Sequence, residues 1–431
     1  MIAEWLWGAP LLFLLIATGV FLTVRLRGVQ FRYFGYAHTL AFTRHDDHSK
    51  GDISHFQALM TALSGSIGIG SITGVATAIS LGGLGALVWM WGAALFGMAT
   101  KYTECVLAIK YRTQDANKEM CGGPMFYLEK ALKSRYLAIA FAFLAMITAI
   151  GTGNMVQSNS VADALNSIAG WHPLFSGVCI SIITGLALFG GIKSIGRIAS
   201  ILVPIMGAFY ISCGIIILIL FWDRIPSAFG LIFESAFSGQ AAIGGFAGST
   251  IMMAIQMGVA RGVFSSEAGL GVSSIAAAAA KTKTPSHQAL IAMIGVFITT
   301  GIVCTITGLT IALTGVLGST GGGSQLALAA FSAAIPKGAL IVTIALIPFA
   351  YSTILGWAYY GEKCTEYLFG LRAVKPYRLI YTLLIIPGAV LGLDVVWGIA
   401  DICNGLMAIP NLIGLICLSG IAAKELKSFQ K

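Results

Sequence analysis

The glycine-rich segment at residues 61–79, TALSGSIGIGSITGVATAI, constrains the fold more than any other stretch of this chain. It is apolar enough to lie in a bilayer, yet Gly65, Gly68 and Gly70 fall at its middle. Glycine costs about 1 kcal/mol relative to alanine inside a helix, so this cluster predicts an unwound segment between two half-helices. Unpaired backbone groups are costly at membrane depth, so the segment must be enclosed by protein or line a polar cavity.

Two structures fit this glycine pattern. Broken helices near the bilayer midplane bind substrates and ions in many secondary transporters. The alternative is a continuous helix with a close-packing face of small residues, which Gly70 and Gly74 alone would support. The interleaving of Ser64, Ser66 and Ser71 with the glycines favours the break.

The composition indicates an all-α polytopic membrane protein. Of 431 residues, 57% are hydrophobic and 10% are charged, whereas a soluble domain carries about 25% charged residues. The eight cysteines form no CxxC pair, so neither a disulfide framework nor a metal site is indicated and we expect them to serve packing.

Hydropathy predicts eleven spans, of which the first, near residues 5–24, is read as a retained transmembrane helix rather than a signal peptide. The other ten are expected near residues 56–80, 84–109, 137–168, 174–192, 199–221, 241–280, 287–317, 338–368, 377–393 and 396–422. Two peripheral helices are expected at residues 123–132 and 324–334.

Lysine and arginine gather in alternate loops, which predicts an external N-terminus and a cytoplasmic C-terminus. The loops with few basic residues hold only Arg224 and Lys337. The net charge of +9 is therefore explained by membrane topology. We expect no nucleic-acid partner, since aromatic and basic residues do not interleave.

A second interrupted helix is predicted within residues 241–280, where glycines, serines and the charged Arg261 and Glu267 fall inside one span. The two breaks occupy positions one and six of the ten core spans. This predicts two five-helix repeats, residues 51–222 and 223–431, which are inverted because each has an odd number of helices. Residues 1–50 would form an additional N-terminal transmembrane helix and a cytoplasmic loop.

Five blocks of the sequence resemble one known family. They begin with GGLGALVWMWGAALFGMATKYTECVLAIKYR at residues 82–112 and FSSEAGLGVSSIAAAAAKTKTP at residues 264–285, and STILGWAYYGEKCTEYLFG, GGPMFYLEKAL and GTGNMVQSN also fit. Together they resemble the alanine or glycine:cation symporter (sodium:alanine symporter) family. The resemblance implies sodium- or proton-coupled uptake of small neutral amino acids. It also implies a ten-helix inverted-repeat core similar to the bacterial leucine transporter.

The chain departs from the family pattern at two positions of the breaks. Ser71 stands where the family usually has Asn, and Ser266 replaces the Asn of a Phe-Ser-Asn-Glu motif. In the broader fold an Asn at the position of Ser71 helps to bind one of two sodium ions. These departures keep open a proton-coupled transporter of a different small amino acid or related solute.

The predicted substrate site follows from the needs of a zwitterion. Its carboxylate needs N–H donors, which a half-helix N-terminus supplies, and its ammonium needs oxygen acceptors. Two aromatic walls would limit the side chain to about a methyl group. The candidates are Gly68, Ile69, Gly70, Ser71, Asn154, Gln157, Phe264, Ser265 and Trp357.

The resemblance also implies a sodium site made of carbonyl and hydroxyl oxygens. Two adjacent hydroxyls lie on the eighth core helix after a proline, and carbonyls of the first break would complete the set. The candidates are Ser64, Ile67, Phe349, Ser352 and Thr353. Hydroxyls inside a span commonly bond their own helix instead, which is the alternative for this pair.

Other polar residues receive structural expectations. Asn154 and Gln157 lie three apart on one helix face and either reach the site or bond a neighbouring helix. Glu267 is expected to pair with Arg261 or to cap the broken helix, with proton transport as the alternative. Lys101 and Glu104 are expected to pair on one helix face.

The sequence favours a secondary symporter over an enzyme or a channel. It contains no HExxH, no GxSxG and no paired aspartates within spans, and its polar residues concentrate in two breaks rather than in stripes along several helices. We expect import of alanine and glycine across a bacterial cytoplasmic (inner) membrane, with sodium as the co-transported ion and no organic cofactor. The sequence leaves the oligomeric state open.

Overall fold

The computed structural model describes residues 6–43, 50–237, 251–318, 323–392 and 394–429. Among these residues the only strands are Thr113–Gln114 (β1) and Met120–Cys121 (β2), which pair as an antiparallel hairpin. Everything else of regular structure is helical. The all-α class expected from the composition is therefore confirmed for the described part of the chain.

The helices follow one another with short connections. Those before residue 221 are α1 (Ala9–Arg25), α2 (Val29–Arg32), α3 (Phe34–Phe42), α4 (His55–Ser66), α5 (Thr73–Gly82), α6 (Ala86–Lys110), α7 (Pro124–Lys130), α8 (Arg135–Ile150), α9 (Val156–Ala169), α10 (Pro173–Phe189) and α11 (Gly191–Leu220). Those after it are α12 (Ile225–Phe237), α13 (Ile251–Ser266), α14 (Ser273–Ala278), α15 (Pro285–Val296), α16 (Thr305–Thr314), α17 (Ser324–Ala334), α18 (Gly338–Phe369), α19 (Val374–Val390) and α20 (Asp394–Phe429). The π-helical turns Gly151–Met155 and Phe297–Cys304 join α8 to α9 and α15 to α16.

Several helices are long and apolar enough to cross a membrane. Six stretches of the described residues meet this condition: Arg135–Ala169, Gly191–Leu220, Pro285–Thr314, Gly338–Phe369, Leu371–Val390 and Asp401–Phe429. The bent pair His55–Ser66 and Ile69–Gly82 raises the number to seven when it is counted as one span. The chain is thus a membrane protein with several spanning helices, and the count of eleven stays a prediction.

The first predicted break is confirmed. Helix α4 starts with a capping box, in which Ser54 Oγ accepts from Gln57 N (3.2 Å) and Gln57 Oε1 accepts from Ser54 N (3.0 Å). The helix ends at Ser66, and a short 3₁₀ turn, Ile69–Ser71, precedes α5. The two half-helices meet at 65°. Glycine and serine at this point therefore interrupt the helix as expected.

The second break lies between α13 and α14. Its backbone turns through left-handed conformations at Glu267 (φ 54°), Gly269 (φ 94°) and Gly271 (φ 83°). Glu104 Oε1 on α6 accepts hydrogen bonds from Gly269 N (2.9 Å) and Gly271 N (3.1 Å), and also from Asn411 Nδ2 (2.8 Å). A buried carboxyl group from another helix therefore holds the unwound backbone, as the membrane interior requires.

On the side of the basic loops, the backbone joins the start of α4 to the end of α14. Asp52 N and Ile53 N both donate to Ala279 O (2.8 and 3.3 Å), and Lys281 N donates to Ile53 O (2.8 Å). Arg112 Nη1 donates to two carbonyl oxygens of the same turn (2.9 and 2.7 Å). We call the contact formed by Asp52, Ile53, Ala279 and Lys281 the backbone seam. It closes this side of the protein between the two broken helices.

The structure adds elements that the sequence did not suggest. The β1–β2 hairpin lies in a basic loop, and α12 precedes the second interrupted helix. Residues 241–250, expected to begin that helix, lie outside the described residues. The peripheral helices expected at 123–132 and 324–334 are present as α7 and α17. All eight cysteines are free; six of them are buried, Cys179 is partly buried and Cys417 is exposed, so a packing role does not extend to Cys417.

Candidate functional site

A small cavity lies where the two breaks face each other. Helix α4 packs on α11 and α18, and α13 packs on α5 and α6, which brings both unwound segments into the interior. The free volume for the centre of a water molecule is about 10 Å³, which is room for one ordered water. Its lining consists of Gly65, Ser66, Gly68, Gly70, Thr152, Gln157, Phe264, Glu267, Leu270, Thr353, Trp357 and Asn404.

Four polar residues of this lining have atoms without hydrogen-bond partners among the described residues. These atoms are Thr152 Oγ1, Gln157 Oε1, both carboxyl oxygens of Glu267 and both amide atoms of Asn404. The four residues are at most 2% exposed. An unsatisfied buried polar group costs about 1–3 kcal/mol, so four in one cavity indicate a place built for a polar ligand.

Glu267 lies against the first break. Its Oε1 is 3.2 Å from the position that a Cβ on Gly65 would occupy. The pairing with Arg261 expected from the sequence is wrong, because neither Glu267 oxygen has a partner in the described part of the chain and Arg261 faces a different cavity. A buried carboxyl group with no donor facing it favours either a proton or a nearby cation.

Next to the cavity, hydroxyl and carbonyl oxygens of α4 and α18 lie close together. Thr353 Oγ1 donates to Ser64 O and to Phe349 O, at 3.1 Å in each case. Ser352 Oγ lies 2.9 Å from Phe349 O and 3.5 Å from Ser64 O. Ile67, the fifth candidate, is buried at the end of α4. The structure therefore brings Ser64, Phe349, Ser352 and Thr353 together, and both hydroxyls also bond a carbonyl of their own helix, as the alternative for this pair predicts.

Two aromatic side chains form walls of the cavity. Trp357 Nε1 donates to Gly65 O (3.2 Å), and its ring packs on Tyr360 at 5.6 Å between centroids. Phe264 lies so close to Gly70 that a Cβ there would approach its ring to 2.9 Å. Both candidate walls are thus at the cavity, in contact with the first break.

Other predicted residues are buried but do not line the cavity. Ser71 Oγ and Ser265 Oγ are 3.4 Å apart, and Ser265 Oγ is 3.0 Å from Cys304 Sγ. Asn154 Nδ2 donates to Tyr381 O on α19, which corresponds to the neighbouring-helix alternative. Ser71, Ser265 and Asn154 therefore hydrogen-bond neighbouring protein groups rather than facing the cavity. Ile69 is buried in the 3₁₀ turn.

Sequence reasoning missed Thr152 and Asn404 as lining residues. Thr152 lies in the π-helical turn Gly151–Met155, which packs against α18, α19 and α20. Asn404 is a polar residue inside the apolar run of α20, and that isolation was a signal that could have identified it. Lys101 also differs from expectation, since its ammonium donates to Ser273 Oγ rather than forming a salt bridge with Glu104 among the described residues.

Comparison with known proteins gives matches over the whole chain. The family model described as "Sodium:alanine symporter family" matches residues 1–431. The sodium/alanine symporter AgcS of Methanococcus maripaludis is 53% identical, covering 99% of this chain and 96% of that protein. The probable sodium/glutamine symporter GlnT of Bacillus subtilis is 34% identical, covering 99% of this chain and 89% of that protein.

Solved structures of transporters share the fold at low sequence identity. MhsT in complex with L-phenylalanine superposes with a TM-score of 0.62 at 17% identity, covering 86% of this chain and 89% of that one. A Na⁺-coupled sialic acid symporter superposes with a TM-score of 0.53 at 14% identity, covering 99% of this chain and 86% of that one.

Proposed function

Because the chain belongs to the sodium:alanine symporter family, we propose that it imports small neutral amino acids, alanine and glycine, by sodium symport with alternating access. Membership of this family makes it a transporter rather than an enzyme. The observation that carries the proposal is the buried cavity between the two helix breaks, lined by polar atoms that have no hydrogen-bond partner among the described residues, with a hydroxyl–carbonyl cluster beside it.

The proposed substrate site uses the cavity lining. The amino-acid carboxylate lies against the backbone from Gly68 to Gly70, where the N-terminal end of the second half-helix favours negative charge. The ammonium faces Gln157 Oε1 and Glu267, acceptors that have no hydrogen-bond partner in the described part of the chain. Phe264 and Trp357 form the walls, so only a very small side chain is accommodated, and the cavity, with room for one water, must widen to admit the whole amino acid. Ile69, Ser71, Ser265 and Asn154 support this shape from behind.

The proposed sodium site uses Ser64 O, Ile67 O, Phe349 O and the hydroxyls of Ser352 and Thr353. A set of neutral oxygens suits a monovalent cation that must also leave again. When the ion binds, the two hydroxyl hydrogens turn away from the carbonyls that they now contact. Ion binding would thereby organise the first break, and the coupling with substrate must be reciprocal.

The proposed architecture is a ten-helix inverted-repeat core plus one N-terminal helix, giving eleven spans in the bacterial cytoplasmic membrane. Residues 51–222 and 223–431 form the two repeats, and residues 1–50 form the additional helix and its loop. The N-terminus lies outside and the C-terminus in the cytoplasm. The excess of basic residues in alternate loops supports this orientation.

The direct test is uptake of labelled alanine into proteoliposomes under an inward sodium gradient or, separately, a proton gradient at the same membrane potential. We expect sodium-driven uptake, and Thr353→Ala should raise the sodium concentration for half-maximal uptake about tenfold through the loss of one ligand (roughly 1.4 kcal/mol). Thr353→Ser should retain near-normal sodium dependence. Thr343→Ala, on the same helix, should leave the sodium dependence unchanged, since Thr343 Oγ1 bonds Ala339 O of its own helix. Absence of uptake of alanine, glycine and serine under both gradients would refute the proposal.

One observation favours a second candidate, proton coupling through Glu267. Its carboxyl group faces the cavity without a partner among the described residues. If sodium alone drives transport, wild type and Glu267→Gln should both show sodium-driven uptake, and an added proton gradient should change the uptake of neither protein. If protons are coupled, wild-type uptake follows the proton gradient and Glu267→Gln loses this response. Measuring uptake in both proteins at matched potential separates the two candidates.

A further inference from the structure

A groove opens on the surface of the protein beside the basic loops, where α8 packs against both α7 and α18. Its volume is about 440 Å³, and it shares no residue with the central cavity. It is lined by Glu129 from α7, by Arg135, Ile139 and Phe143 from α8, and by Tyr367 and Phe369 at the end of α18. We call this feature the interfacial groove. The proposed transport site uses none of its residues.

The α8 wall of the interfacial groove is charged at one end and apolar along the rest. Arg135, Ile139 and Phe143 are spaced four residues apart, so they lie on one face of the helix, and Phe143 lies about 12 Å further along the helix axis than Arg135. Helix α8 begins the candidate membrane span Arg135–Ala169. Ile139 and Phe143 are 41% and 48% exposed, so in a bilayer they contact acyl chains. Arg135 then lies at the level of the lipid head groups, where the apolar span ends.

The polar end of the groove offers one positive and one negative group. The Arg135 side chain is exposed, and its guanidinium has no hydrogen bond or salt bridge to another described residue. Glu129 is half-buried, and its Oε2 accepts a hydrogen bond from Tyr367 Oη (2.9 Å). Within the same part of the chain, Glu129 Oε1 has no such bond, and Glu129 forms no salt bridge with Arg135. Each charge is therefore available to a ligand group of the opposite sign.

We propose that the interfacial groove binds phosphatidylethanolamine, a membrane lipid whose head group carries a phosphate and a primary ammonium. The phosphate lies on Arg135, because a guanidinium forms paired, charge-assisted hydrogen bonds with phosphate oxygens. The ammonium lies on Glu129, and one acyl chain follows Ile139 and Phe143 into the bilayer.

The carboxylate is what gives the groove its choice of lipid. Basic pockets between spanning helices bind lipid phosphates in general, so Arg135 alone would accept any phospholipid. Phosphatidylglycerol carries the same phosphate but no cation for Glu129, and it should therefore bind more weakly. This inference is independent of the proposed transport, since it requires only that α8 lies in a membrane.

The test titrates phosphatidylethanolamine or phosphatidylglycerol into the purified full chain in detergent and measures the bound lipid by native mass spectrometry. Wild type should bind phosphatidylethanolamine about fivefold more tightly, the effect of one charged partner near the membrane surface. Glu129→Gln should remove this preference, while its amide oxygen still accepts from the Tyr367 hydroxyl. Arg135→Gln should weaken the binding of both lipids about fivefold through loss of the phosphate partner. Glu234→Gln and Arg197→Gln change exposed residues of the same types outside the groove, and should bind both lipids as wild type does.

A soluble head group separates the lipid from a free phosphate ester. Glycerophosphoethanolamine has the same phosphate and ammonium but no acyl chains, so it should not bind at concentrations at which phosphatidylethanolamine saturates the groove. Phe143→Ala should weaken both lipids without changing their ratio, because it shortens the apolar wall that both acyl chains share. Equal binding of the two lipids by wild type, an unchanged preference in Glu129→Gln, or equally tight binding of the soluble head group would overturn the inference. None of these measurements involves uptake, so a failure of the proposed function would leave their outcome unaffected.

Discussion

Gly68→Ala is expected to lower sodium-driven uptake by about tenfold to a hundredfold. A Cβ on Gly68 would lie 2.4 Å from Thr353 Oγ1, far inside van der Waals contact. Overpacking of this kind costs about 1–3 kcal/mol, and each 1.36 kcal/mol corresponds to about tenfold. The conflict falls at the point where the first break meets α18, so it displaces the proposed ion and carboxylate positions together. Initial uptake rates in proteoliposomes measure this loss.

Two variants isolate the steric cause. Gly74→Ala is the matched control, because a Cβ on Gly74 meets no atom within 4 Å, and it should transport as wild type does. The double variant Gly68→Ala/Thr353→Ala removes the overlapping hydroxyl and should recover thermal stability but little uptake. Normal uptake by Gly68→Ala would show that the break is not in contact with Thr353 in the working protein.

Glu104→Ala is expected to destabilise the protein by about 3 kcal/mol or more. The substitution leaves Gly269 N and Gly271 N without their acceptor, and removes one partner of Asn411. A buried donor left unpaired costs about 1–3 kcal/mol in protein, and several in hydrocarbon. Thermal unfolding of the purified protein in detergent should therefore begin several degrees lower.

Glu104→Gln provides the control for this effect, since its amide oxygen still accepts from the two glycine N–H groups. It should lose clearly less stability than Glu104→Ala. Equal stability of wild type and Glu104→Ala would mean that another group holds the second break.

The sequence was informative about the breaks because their cause is local. Glycine and serine at residues 64–71 weaken a helix whatever surrounds them, so both the position and the type of the interruption were predictable. The hydroxyl pair Ser352 and Thr353 was predictable in the same way, as adjacent polar residues after Pro348. Their meeting with Ser64 O followed from the resemblance to a known fold rather than from any pattern.

The orientation of the polar side chains was not predictable to the same extent. Asn154 and Gln157 were expected on one face by α-helical spacing, but the π-helical turn Gly151–Met155 changes that spacing. As a result Asn154 bonds Tyr381 O, while Gln157 and Thr152 reach the cavity. A π turn has no composition that separates it from its helix, so the periodicity argument had no means of detecting it.

Contacts between distant parts of the chain were likewise hidden. Glu104 accepts hydrogen bonds from glycines about 165 residues further along the chain. A single sequence does not indicate that residues so far apart in the chain are in contact. The pairing with Lys101 was the natural local expectation for the same reason. The sequence leads us to expect that Glu267 pairs with Arg261 or caps the broken helix, but the backbone at Glu267 is left-handed and the two side chains line separate cavities.

The backbone seam bears on which substitutions this side of the protein tolerates and on how this side opens. Its three hydrogen bonds join main-chain atoms of residues 52–53 to those of residues 279–281, so changes of side chain there do not remove them. The closure can therefore persist while the amino acids at these positions drift. Because the bonds share one short turn, they should break together when either half-helix swings outward, which makes the opening of this side all-or-none. The exchange of these amide protons with solvent would then record how often this side of the protein opens.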